Sequence, residues 1–322
     1  MQLPRYGADT TLHVVMNAGS GHQGTTAVRR IIEETFEAAG RVHRFHAIER
    51  GGSVAEVAGR AVEAAHADAG AVIGAGGDGT LNGVAQAVLG SGRPFGVIPL
   101  GTFNYFARTH GIPSEPAAAS RALLHAEVRP AQVGLVNDRI FLVNASLGLY
   151  PRVLQAREMH KQRFGRSRVV AFGSAFATAL GARRSLHLKL RCGGVERMLH
   201  AQTLFIANND LQLEQIGVDD VAAVDQLVGI ALRPVGSLAL FKLMLRGAFG
   251  QLKKAREVQS FGFQQLDVAP LDAFVPARRR GRPIVVATDG EIAKMEAPLV
   301  FRVSPDPLPL LHPAAADAVP RE

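Results

Sequence analysis

Short apolar runs alternate with longer segments of helical spacing in the first part of the chain. Residues 12–16 are almost all apolar and lead into a glycine-rich turn, and in residues 26–39 apolar side chains recur every three or four positions. The same alternation predicts strands near 42–48, 71–74 and 95–100 and helices over 54–67 and 80–89. Because strands that alternate with helices pair in parallel, we expect an α/β domain over residues 1–128, with ligands bound beyond the carboxyl ends of its strands.

The pattern changes to shorter, β-rich runs after residue 128. Strands are predicted at 131–136, 139–146, 186–191, 199–207, 227–232, 264–268 and 284–288, interrupted by helices at about 165–182 and 237–257. We therefore expect a second domain over residues 129–305, built mainly of antiparallel strands. Residues 306–322 are rich in proline and alanine, and we expect them to form a disordered tail.

Composition narrows the class of protein. The 322 residues are 47% apolar and 20% charged, which excludes a disordered or collagen-like chain. Cys192 is the only cysteine, so a disulfide framework and a cysteine-rich zinc site are excluded. No apolar stretch reaches the roughly 20 residues that span a bilayer, and residues 1–25 lack the apolar core of an export signal. We therefore expect a cytoplasmic protein without a membrane span.

Positive charge is concentrated in one part of the chain. The net charge is +8, and residues 151–200 alone hold 11 basic and two acidic residues. Such a block favours an anionic partner, and the absence of tryptophan with only three tyrosines disfavours nucleic acid and favours an acidic membrane surface. A basic amphipathic helix predicted over 237–257 is typical either of a membrane-surface helix or of one packed on its own domain. The cations expected to contact lipid are Lys161, Arg163, Arg166 and Arg168.

The sequence Gly76-Gly77-Asp78-Gly79-Thr80 lies between a predicted strand and a predicted helix. Glycines let backbone N–H groups approach an anion closely, and a helix N-terminus adds partial positive charge, so this turn is suited to phosphate. Asp78 would repel bare phosphate, which indicates a bound Mg²⁺ or a substrate proton between them. Further glycine turns follow two other strands at residues 17–24 and 99–104, and the chain lacks both GxxxxGK[ST] and GxGxxG.

Three blocks in this order resemble the diacylglycerol kinase catalytic-domain family, which includes bacterial lipid kinases and the sphingosine and ceramide kinases. They are residues 76–82, residues 99–108 and the late Thr288-Asp289-Gly290-Glu291, and residues 161–166 are similar to the family's basic segment. The resemblance extends over about residues 10–305. The first block by itself also occurs in NAD kinases, so the order and spacing of all three carry the resemblance.

The resemblance implies an N-terminal ATP-binding α/β domain like that of NAD kinases and a C-terminal lipid-binding β-sandwich, with the active site between them. Asn104 would stabilise the turn at residues 99–104, Asp78 would hold Mg²⁺ and act in catalysis, and Glu291 would be the general base. Asp225 corresponds to a second, metal-supporting segment. The residues that would contact nucleotide or its phosphates are Asn17, Ser20, Gly21, Gly77, Gly79, Thr80, Gly101 and Thr102.

The chain departs from the family pattern at several acidic positions. It has Gly83, Tyr105 and Gln132 where the family usually has acidic residues, and the segment at 224–229 keeps only Asp225 of the family's two aspartates. These departures put the second Mg²⁺ site in doubt.

The function expected from these patterns is transfer of the ATP γ-phosphate to a hydroxyl of a membrane lipid such as diacylglycerol, by an enzyme that docks peripherally on an anionic membrane. Two alternatives stay open, a soluble NAD kinase-type enzyme and a non-catalytic regulator that binds lipid or nucleotide. A homodimer is also left open.

Overall fold

The computed structural model describes residues 3–17, 22–148, 185–208, 225–236, 255–271 and 283–320, with the single positions 151, 213 and 239. The protein consists of two compact units, the first formed by Met1–Val133 with Ser304–Glu322 and the second by Gly134–Val303. The predicted helix over 165–182 lies outside the described residues, as does most of the one over 237–257. None of the helices within the described ranges is long and apolar enough to cross a membrane.

The first unit contains a six-stranded sheet in the order β2-β1-β3-β4-β18-β5, with helices between the strands. All neighbours are parallel except β18 and β5, which confirms the expected α/β class. The elements are β1 (Leu12–Asn17), α1 (His22–Ala38), β2 (His43–Ile48), α2 (Val54–Ala67), β3 (Ala71–Gly76), α3 (Asp78–Val88), β4 (Phe95–Pro99), α4 (Tyr105–Thr109), α5 (Pro116–Leu124), β5 (Glu127–Ala131) and β18 (Leu308–His312).

Strand β18 shows that the expectation of a disordered tail over residues 306–322 is wrong. Leu308, Leu310 and Leu311 are buried, and the strand inserts between β4 and β5. Proline and alanine dominate the composition of this segment, but its three leucines carry apolar surface that the sheet covers. The end of the chain therefore completes the first unit.

Helix α2 illustrates how local sequence sets an element. The Ser53 side chain accepts a hydrogen bond from the Glu56 backbone N–H and caps the helix start. Three of its buried residues, Val57, Ala61 and Ala65, recur every four positions and face the sheet side of the unit. The observed bounds, Val54–Ala67, equal the predicted ones.

The second unit is a sandwich of two six-stranded antiparallel sheets, ordered β10-β9-β14-β17-β6-β7 and β13-β12-β11-β8-β15-β16. Side chains of both sheets form one buried cluster, in which Leu190 and Phe301 come from the first sheet and Leu204 and Val286 from the second. The strands are β6 (Gly134–Val136), β7 (Arg139–Phe141), β8 (Asn144–Gly148), β9 (Leu186–Cys192), β10 (Val195–Ala201), β11 (Thr203–Ala207), β12 (Leu227–Leu232), β13 (Val258–Phe263), β14 (Gln265–Pro270), β15 (Ile284–Thr288), β16 (Glu291–Met295) and β17 (Leu299–Val303).

Three predicted strands are each divided in two by the structure. The run at 131–136 divides between the units, because β5 ends at Ala131 and β6 begins at Gly134. The runs at 139–146 and 199–207 divide where the chain passes from one sheet of the sandwich to the other. An apolar run that is buried on both sides of such a crossing gives no local sign of the break.

Candidate active site

Two glycine turns of the first unit, at residues 76–80 and 99–104, lie at one edge of its sheet. Strands β1, β3 and β4 are parallel neighbours, and the register places Met16 opposite Ala75 and Gly76 opposite Pro99. The turns that follow β3 and β4 therefore leave the sheet at the same level. The chain order also reverses direction between β1 and β3, and such switch points are where open α/β sheets bind ligands.

The glycine turn at residues 76–80, called the first turn below, leads directly into α3. Gly77 is the N-cap residue, with extended backbone and no side-chain cap, and its carbonyl accepts the first helical bond, from Leu81 N–H, at 3.0 Å. A Cβ on Gly76 would lie 2.6 Å from the Thr80 Cβ, so this position requires glycine. Half-buried Asp78 opens the helix. The N-terminal N–H groups of α3, uncapped by any side chain of Gly77, favour an anion.

The glycine turn at residues 99–104, called the second turn below, is held closed by Asn104. The Gly101 N–H donates to Asn104 Oδ1 at 3.0 Å, and Asn104 Nδ2 donates back to the Gly101 carbonyl at 3.1 Å. Asn104 has a left-handed backbone, with φ of 49°, a conformation that asparagine tolerates well. A Cβ on Gly101 would come within 3.0 Å of the Gly77 Cα, so the two turns touch through glycines. Thr102 is exposed beside this contact.

The remaining predicted nucleotide and membrane residues are only partly described. Asn17 is the last residue of β1 and lies at the same sheet edge as the glycine turns. Ser20 and Gly21 lie outside the described residues. The same holds for the four cations expected to contact lipid, Lys161, Arg163, Arg166 and Arg168. Their roles stay predictions.

In the second unit, Asp289 and Gly290 form the two-residue turn between β15 and β16. Both have positive φ, 47° and 86°, as a type I′ hairpin turn requires. The Asp289 carboxylate accepts backbone N–H bonds from Leu142 at 2.7 Å and from Val143 and Asn144 at 2.9 Å each. These three residues carry the chain from β7 in one sheet to β8 in the other. The turn is therefore anchored to the crossing between the sheets.

The carbonyl groups of the same crossing are also paired. Asn208 Nδ2 donates to the Leu142 carbonyl at 3.0 Å, and the Asn208 N–H donates to the Val143 carbonyl at 2.9 Å. The Asp289 N–H donates to the Asn144 carbonyl at 2.9 Å. All six backbone groups of the buried crossing thus have partners, as buried polar groups require. Asp289 and Asn208 supply them, and neither has a local sequence signal for this role.

Glu291 begins β16, directly after this turn. Its carboxylate is about half exposed and forms an ion pair of 2.9 Å with Arg139 on β7. Glu291, the predicted general base, thus lies beside Arg139 and directly after the turn that Asp289 anchors. Arg139 was not predicted, and no pattern could have indicated it, because the two residues are separated by 152 positions.

Two departures from the family pattern are explained by packing. A Cβ on Gly83 would lie 2.6 Å from Val54 Cγ1, where α3 meets the start of α2. A Cβ on Gly229 would lie 2.5 Å from the ring of Phe261 on the adjacent strand. Neither position has space for a carboxylate. No group of three or more metal-ligating side chains occurs in the described part of the chain, so Asp225 there gains no support as a second metal site.

Tyr105, at a third departure, belongs to an aromatic surface beside the second turn. Its ring stacks on that of Phe103 with centroids 5.9 Å apart, and the Arg108 guanidinium lies 5.7 Å from its centroid. Phe103 is 49% exposed, which is unusual for a phenylalanine. The position that the family gives to an acidic residue here carries an aromatic ring.

A separate histidine cluster joins β1, β2 and the end of α2. Fully buried His13 contacts His46 Nε2 at 3.1 Å through Nδ1 and Asp68 at 3.0 Å through Nε2. Burial, and then the charges of His13, Arg60 and Arg44, lower the pKa of His46. Burial raises the pKa of Asp68, but the His13 hydrogen bond and nearby positive charge outweigh it and lower the pKa overall.

Comparison with known proteins bears on these features. Residues 11–136 match the family model described as the diacylglycerol kinase catalytic domain. The chain is 48% identical over 85 residues to the Pseudomonas aeruginosa protein "Probable lipid kinase YegS-like", covering 26% of this chain and 28% of that protein. It is 35% identical over 132 residues to the diacylglycerol kinase of Bacillus subtilis, covering 40% and 43%. The chain thus aligns with less than half the length of each relative.

A crystal structure of a diacylglycerol kinase from Bacillus anthracis shares the fold, with a TM-score of 0.67 at 17% identity over 96% of this chain and 98% of that one. This likeness extends over both units and shows their fold. Residues 11–136 of the chain are thus similar to the diacylglycerol kinase catalytic domain.

Proposed function

We propose that the protein is a lipid kinase that transfers the γ-phosphate of ATP to a hydroxyl of a membrane lipid such as diacylglycerol. The observation that carries the proposal is the pair of touching glycine turns at the switch point of the sheet, one of which opens α3. Backbone N–H groups at the start of α3, where the N-cap residue Gly77 has no capping side chain, provide a site suited to an anion. The match of residues 11–136 to the diacylglycerol kinase catalytic domain supports a kinase role for these turns.

Asp78 fits the role of a metal ligand for a nucleotide-borne Mg²⁺. Magnesium in kinase sites is held by one or two carboxylates together with substrate phosphates, so a single half-buried carboxylate beside the glycine turns is a suitable donor set. A bound Mg²⁺ would offset charge on the phosphates during transfer. The chain's own part is to orient the phosphates through the N–H groups of α3 and to keep the turn at residues 99–104 closed through Asn104.

Glu291 is the proposed proton acceptor. In the transfer, the lipid hydroxyl oxygen forms a bond to the γ-phosphorus as the bond to the β–γ bridging oxygen breaks, and the hydroxyl proton passes to the carboxylate. Arg139 pairs with Glu291 at 2.9 Å and holds its carboxylate in place at the start of β16. The proposal requires that Glu291 be free to exchange this partner for the lipid hydroxyl.

Membrane association is part of the same proposal. The local charge of +9 over residues 151–200 would attract an anionic leaflet by about 1 kcal/mol per residue near the surface. Binding to vesicles that contain phosphatidylserine should then weaken steeply as salt is raised, since exposed charges are screened. Salt-independent binding would contradict electrostatic docking.

The decisive experiment is transfer of labelled γ-phosphate from ATP into a total lipid extract, followed by identification of the labelled product. Asp78→Asn should reduce the labelling by at least a hundredfold. The control is Asp306→Asn, an exposed carboxylate next to β18, at the opposite edge of the sheet from the glycine turns. Equal labelling by both variants, or labelling of added NAD instead of lipid, would contradict the proposal.

The packing at Gly83 and Gly229 favours a second candidate, a family member that binds nucleotide and lipid without transfer. This candidate predicts ATP binding that Asp78→Asn weakens, together with no labelled lipid. The transfer assay and an ATP-binding measurement on the same preparation distinguish the two functions.

A further inference from the structure

An apolar cavity of about 320 Å³ opens at one edge of the β-sandwich in the second unit. It lies between β10 and β13, the outermost strands at the same end of the two sheets. Arg197 and Gln259 are the polar side chains of its lining, and none of the described residues that line it is a carboxylate. The apolar side chains of the lining are Leu190, Val195, Met198, Leu199, Phe261 and Leu266.

The strand register places Arg197 on the inner face of the sandwich. Arg197 lies opposite Leu190 and Leu199 opposite Leu188 in the β9–β10 pair, and directly opposed residues of an antiparallel pair point to the same face. Leu188 and Leu190 are core residues, at 3% and 7% exposure. Arg197 therefore occupies an inward-facing position of β10 where an apolar residue is expected. Its side chain is exposed because β10 is the outermost strand of its sheet.

Arg197 forms no ion pair with any of the described residues, unlike the basic residues beside it. On the outer face of the same hairpin, Lys189 pairs with Glu196 at 2.7 Å and Arg191 with Asp267 at 2.6 Å. The cavity thus presents one cation at the mouth of an apolar space. Val195, which lies opposite Cys192 and is 56% exposed, extends the inner apolar surface beyond the cavity.

These features match a ligand with one apolar chain and one negative charge. Sites for small molecules range from about 300 to 1,000 Å³, so a cavity of about 320 Å³ is suited to one chain and not to a two-chain lipid. We propose that this edge binds a fatty acid, with its chain between β10 and β13 and its carboxylate on Arg197. The site lies wholly in the second unit and does not depend on the proposed kinase function.

Cys192 provides the measurement because it is the only cysteine of the chain and lines the cavity. The rate of its reaction with a maleimide is followed in the full-length protein, without ATP, as dodecanoate is added below its micelle concentration. We expect saturable protection. Affinity should rise about fourfold per methylene group from octanoate to dodecanoate, because each buried methylene contributes about 0.8 kcal/mol. Dodecanol, which has no charge, should bind about fivefold more weakly.

Variants of Arg197 separate ligand binding from a purely structural role. An inward-pointing charge on an edge strand also prevents pairing with other chains, and that role alone requires no ligand. We expect Arg197→Gln to weaken dodecanoate about fivefold and Arg197→Lys to restore most of the affinity. The control, Arg129→Gln, removes an exposed arginine of the first unit and should change nothing. Absence of saturable protection, equal affinity for dodecanol and dodecanoate, or unchanged affinity in Arg197→Gln would each overturn the proposal.

Discussion

Replacing Asp289 by asparagine tests whether one carboxylate holds the crossing between the two sheets of the sandwich. The carboxylate accepts N–H bonds of 2.7, 2.9 and 2.9 Å from Leu142, Val143 and Asn144, which are 3%, 3% and 6% exposed. Asparagine has nearly the same shape but is neutral, and its amide oxygen replaces only one of the two carboxylate oxygens. The variant therefore weakens all three bonds and leaves at least one N–H facing a donor.

The expected loss follows from these bonds. Hydrogen bonds to a charged group contribute about 1.5–3 kcal/mol each, and a buried donor left unsatisfied costs about 1–3 kcal/mol. Allowing for the oxygen that remains, we expect Asp289→Asn to lower the local stability by about 2–4 kcal/mol. That is a large fraction of the 5–15 kcal/mol that stabilises a typical domain.

Hydrogen exchange is the suitable assay, because unfolding of a protein with two units need not be two-state. Exchange at the amides of residues 142–144 should accelerate about 30- to 900-fold, at 1.36 kcal/mol per tenfold change. Glu296→Gln neutralises an exposed carboxylate of the same unit and should leave this exchange unchanged. If the amides exchange at the wild-type rate in Asp289→Asn, or if Glu296→Gln has the same effect, the anchoring role is refuted.

Two further predictions concern the first unit. Gly101→Ala would bring a Cβ within 2.7 Å of Asn104 Oδ1, and we expect it to lower the free energy of unfolding by about 1–3 kcal/mol and to abolish ATP binding. The control Gly59→Ala, whose added Cβ has no atom within 4 Å, should leave ATP binding unchanged and the stability unchanged or slightly raised. Calorimetry measures the stability, and a nucleotide-binding titration measures the affinity for ATP. The pKa of His46 is lowered on folding, so the stability associated with its neutral form is present above its ordinary pKa of 6.5 and is lost as the pH falls through and below that value. The thermal midpoint of the first unit should therefore decrease from pH 7.5 to pH 5.5, and His46→Asn should make this decrease smaller; an equal decrease in the variant would contradict the assignment.

The sequence determined the elements whose signals are local. The strand at β3, the bounds of α2 and the glycine turn that opens α3 all follow from periodicity and turn chemistry within a dozen residues. The turn at Asp289 and Gly290 belongs to the same group, because positive φ at two successive positions favours Asp-Gly. Each of these features is specified by atoms that are neighbours along the chain.

Only the tertiary structure decided which distant groups meet. The sequence does not indicate that Asp289 binds amides some 145 positions away or that Arg139 pairs with Glu291. The Phe261 ring that fills the space at Gly229, and the insertion of β18 between β4 and β5, also depend on strand order. The periodicity of helices and strands relates residues that are close along the chain. It therefore does not indicate which distant segment each one contacts. Parallel packing of β3 and β4 likewise made neighbours of the glycine turns at residues 76–80 and 99–104 at one sheet edge.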